Sequence, residues 1–365
     1  MHRPVVPSTW ILSIVALFSG PAVSAQIIDH TDIDGVASLP QAVMDAVGQQ
    51  KWFFAHASVG GNMMSGMAGL HSSNPGRYKL AQSSVGYNGG EMRANNPPAP
   101  TAAGTVYECQ RGNPGWQDKI TIFENSVNVS GWRSPATSIV MDKYCYIDPD
   151  ANAAETTSAM AGLEAAWPTT IVVYMTMPLT TDQDSTNVQR NLYNAAVRQF
   201  CQEHGRLLFD IADMEAYDPA GNPVIFVYGG QTYQKLYSGY TSDGGHLNTA
   251  GCQQIALGWY AVAAAIAGAA DCNANGVPDN LDIARGTSLD ANGNGIPDEC
   301  EPEGDLNCDG AIDGLDISPF VLALLDPTGY AAAYPSCDRM HADCDGNGVI
   351  DFADVAAFVT RLIGS

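Results

Sequence analysis

Basic residues are scarce in this chain of 365 residues, which has 16 Lys and Arg against 39 Asp and Glu and a formal net charge of −23. Phosphate backbones and anionic lipid surfaces attract basic proteins, so this balance argues against nucleic acid or an anionic membrane as a partner. The acidic excess is concentrated near the C-terminus, because residues 271–365 hold 18 acidic and 3 basic residues. That segment needs cations to neutralise it.

Long apolar runs are also few. The first, Trp10 to Phe18, follows a weakly basic start and precedes the small residues Val23-Ser24-Ala25. This pattern predicts a secretory signal peptide at residues 1–25, and the run is too short to span a bilayer. The second, Ile255 to Ala270, fits better as the buried final helix of a domain. We therefore expect a secreted or cell-surface protein with no membrane span.

The nine cysteines are consistent with an oxidising compartment, where disulfides persist. An odd total leaves at least one thiol unpaired or paired between chains. The sequence favours Cys145 as a free thiol and makes Cys201 and Cys252 a candidate pair, but spacing does not determine the connectivity. Five cysteines follow residue 270, where a small core needs covalent support: Cys272, Cys300, Cys308, Cys337 and Cys344.

A short strand that ends at a serine is the first candidate site. The run Trp52 to Ala55 is apolar and aromatic, which is typical of a strand covered on both faces. Gly60 and Gly61 allow a tight turn, and Asn62 to Leu70 can continue as a helix. Ser58 would then lie at a helix N-terminus, where free N–H groups favour a developing oxyanion. The alternative is an ordinary helix N-cap.

A second polar stretch provides partners for this serine. Asp243 and His246 flank two glycines, so the backbone can fold tightly enough for the carboxylate to reach the imidazole. A buried aspartate that orients a histidine, which in turn takes a proton from a serine, is the logic of a catalytic triad. A polar loop that caps the next helix is the alternative. His56 could serve as another base, but a hydrogen-bonded structural histidine is the favoured interpretation.

The two stretches resemble the first and last motif blocks of the GDSL-type (SGNH) hydrolases. The resemblance implies Ser58 as nucleophile, His246 as general base and Asp243 as the acid that orients it. The Gly-Asp-Ser of the first block is replaced here by His56-Ala57-Ser58, which is similar to a divergent branch of the family.

The resemblance also implies an oxyanion hole. Its glycine would be one of Gly86, Gly89 or Gly90, for which ordinary turns are the alternative. The family has an asparagine after its third strand that donates to the oxyanion, whereas this chain has Lys143 to Asp148 there. Asn88 or a backbone amide is then the candidate replacement.

Strands that alternate with helices predict an α/β fold with a mainly parallel sheet and sites at the carboxyl ends of the strands. The resemblance implies the three-layer, flavodoxin-like sheet of the SGNH hydrolases, in a domain at 26–270. Residues 77–132 are predicted to be a long loop. The predicted strands, besides the first, are 138–148, 170–179 and 206–211, and the predicted helices are 151–166 and 185–202.

An acidic repeat begins after this domain. Oxygen side chains at positions 1, 3, 5, 9 and 12, with glycine at position 6, are what Ca²⁺ requires. Residues 271–301 hold two such loops, resemble thrombospondin type 3 repeats, and are assigned as a calcium-binding linker; an acidic linker without metal is the alternative. The predicted ligands are Asp271, Asn273, Asn275, Asp279 and Asp282, then Asp290, Asn292, Asn294, Asp298 and Glu301.

Residues 302–365 hold two more loops, each followed directly by a helix, at 317–325 and 355–363. They resemble a type I dockerin with an EF-hand-like, α-helical fold, although 326–340 lengthens the spacing between them. The resemblance implies structural Ca²⁺ and a cohesin-like or cell-surface partner. The predicted ligands are Asp305, Asn307, Asp309, Ala311, Asp313 and Asp316, then Asp343, Asp345, Asn347, Val349, Asp351 and Asp354.

Together these features predict a secreted serine esterase that removes acyl groups from a polysaccharide and needs no cofactor for catalysis. The C-terminal module would attach it to a partner. The alternative is a non-catalytic glycan-binding or surface scaffold protein on a degenerate hydrolase fold.

Overall fold

The computed structural model describes residues 25–84, 102–129, 138–275, 277–291, 295–335 and 337–364. Its main element is a seven-stranded sheet in which all neighbouring strands are parallel, and this confirms the predicted α/β class. The strands are β1 (Gln26–Ile28), β2 (Lys51–His56), β3 (Ala81–Ser84), β4 (Thr105–Gln110), β5 (Ser138–Asp142), β6 (Ile171–Met175) and β7 (Leu207–Phe209).

The helices of the described residues alternate with these strands along the chain, and an antiparallel hairpin of β8 (Ile225–Tyr228) and β9 (Gln231–Gln234) precedes α8. The α-helices are α1 (His30–Ile33), α2 (Gln41–Val47), α3 (Val59–Ser73), α4 (Trp116–Val129), α5 (Ala153–Ala166), α6 (Ser185–His204), α7 (Ile211–Glu215), α8 (Thr249–Gly268), α9 (Asp279–Arg285), α10 (Ile317–Leu325), α11 (Pro327–Ala333) and α12 (Asp354–Gly364).

The strand order is β1-β7-β6-β5-β2-β4-β3. Numbered among themselves, the inner five strands β4-β2-β5-β6-β7 follow the order 2-1-3-4-5, which is one of the two common doubly wound arrangements. The order of strands reverses between β2 and β5, and such sheets bind ligands at that switch point, outside the carboxyl ends of the strands. Ala55 of β2 is paired with Asp142 of β5. The segments that follow these two strands therefore emerge side by side.

Successive side chains of β2 enter two different cores. Trp52 and Phe54 belong to the core that also contains residues of α2, α3 and α8, whereas Phe53 and Ala55 belong to the core that contains residues of α4, α5 and α6. All four are fully buried. This period-2 pattern requires helices on both sides of the sheet, as the apolar run predicted.

Helix α8 is by length and composition able to cross a membrane. However, 61% of its apolar window is buried inside the protein, and its Trp259 packs edge-on against Phe54 of the sheet. Trp259 and Tyr260 both belong to the larger core. The helix is the buried final helix that the sequence predicts for this domain.

The prediction of a loop over 77–132 is wrong for its described part, which contains β3, β4 and α4. Gly104 and Gly112 both have positive φ and lie on either side of β4, so these glycines bracket the strand and do not interrupt it. Two predicted strands are also too long, because β5 ends at Asp142 and β6 ends at Met175. Asp142 accepts a hydrogen bond from Arg111 Nε at 2.9 Å, and the chain leaves the sheet after it.

The predicted pair of Cys201 and Cys252 is wrong. Cys201 lies in the core beneath α4, α5 and α6, whereas Cys252 lies in the core on the opposite face, so the sheet separates the two thiols. Cys145 forms no disulfide, as predicted, and neither do Cys109, Cys201, Cys252 and Cys344. The disulfides are Cys272–Cys300 and Cys308–Cys337.

The acidic C-terminal segment begins against the sheet. Val277 and Leu281 belong to the larger core, and Arg285 forms a buried ion pair with Glu164 of α5. Farther along the chain, α10 and α12 share a separate small core, in which the rings of Phe320 and Phe358 stack at 4.1 Å. The two loop-helix units predicted from the sequence therefore pack against each other.

Candidate active site

Ser58 lies between β2 and α3 in a strained backbone conformation. Its φ of 55° and ψ of −114° belong to a region that residues with a Cβ rarely adopt, at a cost of about 1–3 kcal/mol. A sharp strand-to-helix turn of this kind lifts a serine hydroxyl above the carboxyl end of a parallel sheet, as in a nucleophile elbow. The serine is therefore placed where a nucleophile is exposed to substrate, beside the first N–H groups of α3.

The turn at Ser58 packs against the side chain of His56, the last residue of β2. This side chain is 0% exposed, stacks on Phe54, and places Nε2 2.6 Å from Glu108 Oε2 of β4. Burial lowers the pKa of His56, although the hydrogen bond to Glu108 opposes that shift. A Cβ at Gly60 would come within 2.4 Å of the His56 Cβ, so the start of α3 lies directly on this ring. His56 is therefore a structural residue, which is the interpretation that the sequence favoured.

The three predicted triad residues are brought together in the predicted order. Ser58 Oγ lies 2.6 Å from His246 Nε2, and His246 Nδ1 lies 2.7 Å from Asp243 Oδ2. The carboxylate can only accept, so Nδ1 carries the proton and Nε2 is left to accept from the serine hydroxyl. This is the tautomer that a histidine needs to act as a general base towards Ser58.

Asp243 is held by the backbone of its own loop. Its Oδ1 accepts hydrogen bonds from Gly245 N at 3.0 Å and from His246 N at 2.8 Å. These bonds and the contact with the imidazole keep the pKa of Asp243 well below its ordinary value. The Asp243 side chain is 57% exposed, so the expectation of a buried aspartate is wrong; backbone donors, not burial, fix the carboxylate. His246 is 43% exposed and therefore open to substrate.

The segment after β5 completes the site. Tyr146 places its hydroxyl 3.3 Å from His246 Nδ1 and 3.5 Å from His246 Nε2, and the latter nitrogen is the partner of Ser58 Oγ. Lys143 donates from Nζ to Ala57 O at 3.1 Å, directly before the serine. Burial lowers the pKa of Lys143 to about 8. Sequence reasoning did not identify Tyr146, although its place in the block that lacks asparagine was a signal.

The thiol of Cys145 also lies close to Ser58. Burial alone would raise the pKa of this thiol, but Lys143, the Ile147 N–H and the Ser58 hydroxyl together bring it below its ordinary value. Cys145 is 1% exposed, so its thiol approaches Ser58 from inside the protein.

The predicted oxyanion glycines Gly86, Gly89 and Gly90, and the alternative donor Asn88, lie outside the described residues.

A groove of about 650 Å³ lies between α3 and the start of α8. Ser242 and Leu247, which line it, directly precede Asp243 and follow His246 in the chain. The described residues that line it carry no formal charge. Its polar side chains are Asn62, Ser65, Ser73, Ser242, Asn248, Thr249 and Gln253.

The last two acidic loops have the same hydrogen-bond pattern. In the third loop the Asp305 carboxylate accepts from Asp309 N and Gly310 N, and Asp316 accepts from Leu306 N, Asn307 N and Asp313 N. In the fourth, Asp343 and Asp354 repeat these roles: Asp343 accepts from Asn347 N and Gly348 N. Asp354 accepts from Asp345 N and Asp351 N. Thus the backbone of each loop donates to the carboxylates at its first and twelfth positions.

The donor set of these loops suits a hard cation. Asp316 and Asp354 are 0% exposed, and no ion pair within the described part of the chain involves Asp305, Asp316, Asp343 or Asp354. One carboxylate oxygen from each of Asp343, Asp345 and Asp354 lies within 4.8 Å of the others. Buried carboxylates without a cationic partner are costly, so these loops fit Ca²⁺.

The first two acidic loops are organised differently. In the first, Asp271 accepts from Asn275 N at 3.1 Å, Asp279 accepts from Cys272 N at 3.0 Å, and Asp282 accepts from Asn275 Nδ2 at 2.7 Å.

In the second loop, Asp290 accepts from Gly295 N at 3.0 Å and Asp298 from Ala291 N at 2.9 Å. Glu301, the predicted final ligand, lies 3.4 Å from His341 Nε2. Asn292 and Asn294 lie outside the described residues.

Comparison of the chain with protein-family models and with curated proteins gives no match. The arrangement of Ser58, His246 and Asp243 at the switch point of the sheet is therefore the main basis for assigning a function.

Proposed function

We propose that this chain is a secreted serine ester hydrolase of the SGNH type, which removes acyl groups from a polysaccharide. One observation carries the proposal: hydrogen bonds of 2.6 and 2.7 Å connect Ser58, His246 and Asp243. A serine just before a helix is commonly an N-cap whose side chain bonds to the helix backbone. The Ser58 side chain makes no such hydrogen bond with α3. The hydroxyl is instead directed to a histidine in the tautomer that general-base catalysis requires.

The chemistry follows from these contacts. Ser58 Oγ attacks the ester carbonyl while its proton passes to His246 Nε2, and Asp243 stabilises the imidazolium that forms. The tetrahedral intermediate collapses as His246 returns the proton to the leaving alcohol, and an acyl group remains on Ser58. Water then attacks the acyl group in the same way, with His246 as base, and releases the acid. Ser58 precedes the first residue of α3, and the positive end of the helix dipole favours developing negative charge there.

The lining of the groove between α3 and α8 favours a substrate whose leaving group is uncharged and rich in hydroxyl groups. The groove is lined by hydroxyl and amide side chains, which exchange hydrogen bonds with sugar hydroxyls, and its described lining lacks the basic residues that a uronic acid polymer would favour. A neutral acylated polysaccharide is therefore the substrate class that we propose.

The C-terminal module is proposed to bind Ca²⁺ and to attach the enzyme to a cohesin-like or cell-surface partner. Asp305, Asp309, Asp313 and Asp316 would hold one ion, and their counterparts in the fourth loop would hold another. The bound ion would neutralise buried carboxylates and hold α10 and α12 at fixed angles to their loops. The two disulfides are compatible with the proposed secretion.

The proposal is tested by incubating the purified chain with acetylated neutral polysaccharides, and with the same polymers after chemical deacetylation, and measuring released acetate. We expect release by the wild type and none above background by Ser58→Ala or His246→Ala. If the wild type releases no more acetate than Ser58→Ala but retains the polymer in a binding assay, the non-catalytic alternative replaces this proposal.

A further inference from the structure

The proposed reaction requires a hydrogen-bond donor for the oxyanion, and the asparagine that the SGNH family uses is absent. The segment after β5 still reaches the same place, because it leaves the sheet next to the end of β2. Its Cys145 N–H is not available, since it donates to Asp148 Oδ2 at 2.8 Å. The next residue, Tyr146, places its hydroxyl 3.3 Å from His246 Nδ1 and 3.5 Å from His246 Nε2, the atom that lies 2.6 Å from Ser58 Oγ.

We propose that Tyr146 is a catalytic residue whose hydroxyl donates a hydrogen bond to the oxyanion formed when Ser58 attacks an ester. The inference rests on the proposed function and names a residue of the same site.

The backbone around Tyr146 is fixed on both sides. Asp148 forms a buried ion pair with Lys119 of α4, and it also holds the Cys145 N–H. Arg190 of α6 donates from Nε to Tyr146 O at 2.7 Å, and its guanidinium carbon lies 5.9 Å from the ring centroid. An oxyanion donor must be held in position before the reaction, and these contacts do so without water.

The loop that carries Gly245 and His246 also holds the Tyr146 ring in position. The Tyr146 and His246 rings meet edge to face with centroids 5.4 Å apart. A Cβ at Gly245 would lie 2.9 Å from Cε1 and Cζ of Tyr146, so glycine is needed there for the ring to approach. Partial burial raises the pKa of Tyr146, and the phenol therefore keeps its proton at neutral pH.

The hydroxyl has one role before attack and another after it. In the resting site it lies 3.3 Å from His246 Nδ1 and 3.5 Å from His246 Nε2. During attack, Oγ forms a bond with the carbonyl carbon, the carbonyl electron pair moves onto the oxygen, and the serine proton moves to His246. The negative charge then appears next to Oγ, within reach of the phenol, which donates a hydrogen bond and keeps its own proton throughout.

The test compares Tyr146→Phe with a matched control, Tyr144→Phe. Tyr144 is a neighbouring buried tyrosine, whose hydroxyl accepts from Thr156 Oγ1 at 3.1 Å on the face of α5 and not at the triad. For the wild type and both variants, kcat and KM for a soluble acetyl ester are measured across pH, together with the rate of reaction with a fluorophosphonate. The phosphonate adduct carries an oxygen where the oxyanion forms.

We expect Tyr146→Phe to lower kcat and the phosphonylation rate by about 10²- to 10³-fold with KM nearly unchanged, as for loss of one oxyanion donor. Tyr144→Phe should stay close to the wild type. A role for Tyr146 in orienting His246 would instead move the midpoint of the pH profile, and that result, or an unchanged kcat, would overturn the inference while the proposed function stands. A wild type that does not react with the phosphonate overturns both.

Discussion

Gly60 lies directly on His56: a methyl group at Gly60 would come within 2.4 Å of the His56 Cβ and 2.7 Å of its ring. The adjacent glycine, Gly61, has open space around the same position. The strained turn at Ser58 thus packs on the buried His56, and this contact leaves no room for a side chain at position 60.

The two glycines should respond in opposite ways to the same substitution. Gly61→Ala should stabilise the protein by up to about 1 kcal/mol, since alanine favours a helix over glycine. Gly60→Ala should destabilise it by about 1–3 kcal/mol and lower activity, because α3 must move away from His56. Urea unfolding and ester hydrolysis measure the two effects. Equal stabilities of the two variants would show that the contact with His56 is not a constraint.

Asp243→Asn should lower kcat by about 10²- to 10⁴-fold with little change in stability. An asparagine can present an N–H to His246 Nδ1, which favours the tautomer that cannot accept the serine proton. Asp218→Asn is the matched control, because Asp218 is also an exposed aspartate that accepts from backbone N–H groups, at Ala220 and Asn222, in a turn of its own. Full activity in Asp243→Asn would contradict the assigned role of the carboxylate.

Glu215 gives the protein a pH-dependent stability. It is fully buried, accepts from Leu179 N at 2.7 Å, and burial raises its pKa to about 8; Lys143 and Arg190 face it and oppose that shift. A carboxyl whose pKa is raised on folding stabilises most below its unfolded value near 4.5, and this contribution is lost as pH rises towards 8.

Glu215→Gln, which keeps an acceptor for Leu179 and cannot ionise, should remove that dependence. Between about pH 5 and 8 the wild type should lose stability relative to the variant, by at most about 1.4 kcal/mol per pH unit for one proton. Urea unfolding at a series of pH values measures the difference. Parallel curves for the two proteins would mean that Glu215 does not titrate in this range.

Asp316→Asn and Asp354→Asn should each remove one Ca²⁺ from the protein. Both carboxylates are buried at the twelfth position of their loops, where they accept from two or more backbone N–H groups and supply the charge of the proposed sites. Isothermal titration calorimetry should show one fewer site in each variant, and chelation should lower the thermal midpoint of the wild type. Asp326→Asn, at the cap of α11, is the control and should bind as the wild type does. Unchanged stoichiometry in the loop variants would argue against these sites.

The triad could be predicted because its parts are local. Asp243 and His246 are three residues apart, and Ser58 directly follows an apolar strand, so short motifs contain most of the information. The loop before α8 then joins the start of α3, where Leu247 N donates to Asn62 Oδ1 at 3.2 Å. The sequence also predicts the alternation of β5, α5, β6, α6 and β7, because buried strands are continuous apolar runs and α6 has apolar residues at helical spacing.

Features that depend on contacts between distant segments could not be predicted. Tyr146 reaches His246 across 100 residues, so its place in the block that lacks asparagine does not reveal that its hydroxyl meets the histidine. Strand β4 was missed because its neighbours are rich in glycine and proline, although it is stabilised by pairing with β2. The supposed pair of Cys201 and Cys252 failed because the spacing of cysteines does not reveal which face of the sheet each helix covers.

The central claim is that Ser58 is an activated nucleophile. The most direct test is reaction of the full chain with a fluorophosphonate, followed by mass spectrometry of its peptides, with Ser58→Ala and His246→Ala compared after circular dichroism shows that all three are folded. We expect a single adduct on Ser58 of the wild type, none in Ser58→Ala, and strongly reduced labelling in His246→Ala. A folded wild type that forms no adduct on Ser58 would contradict the account.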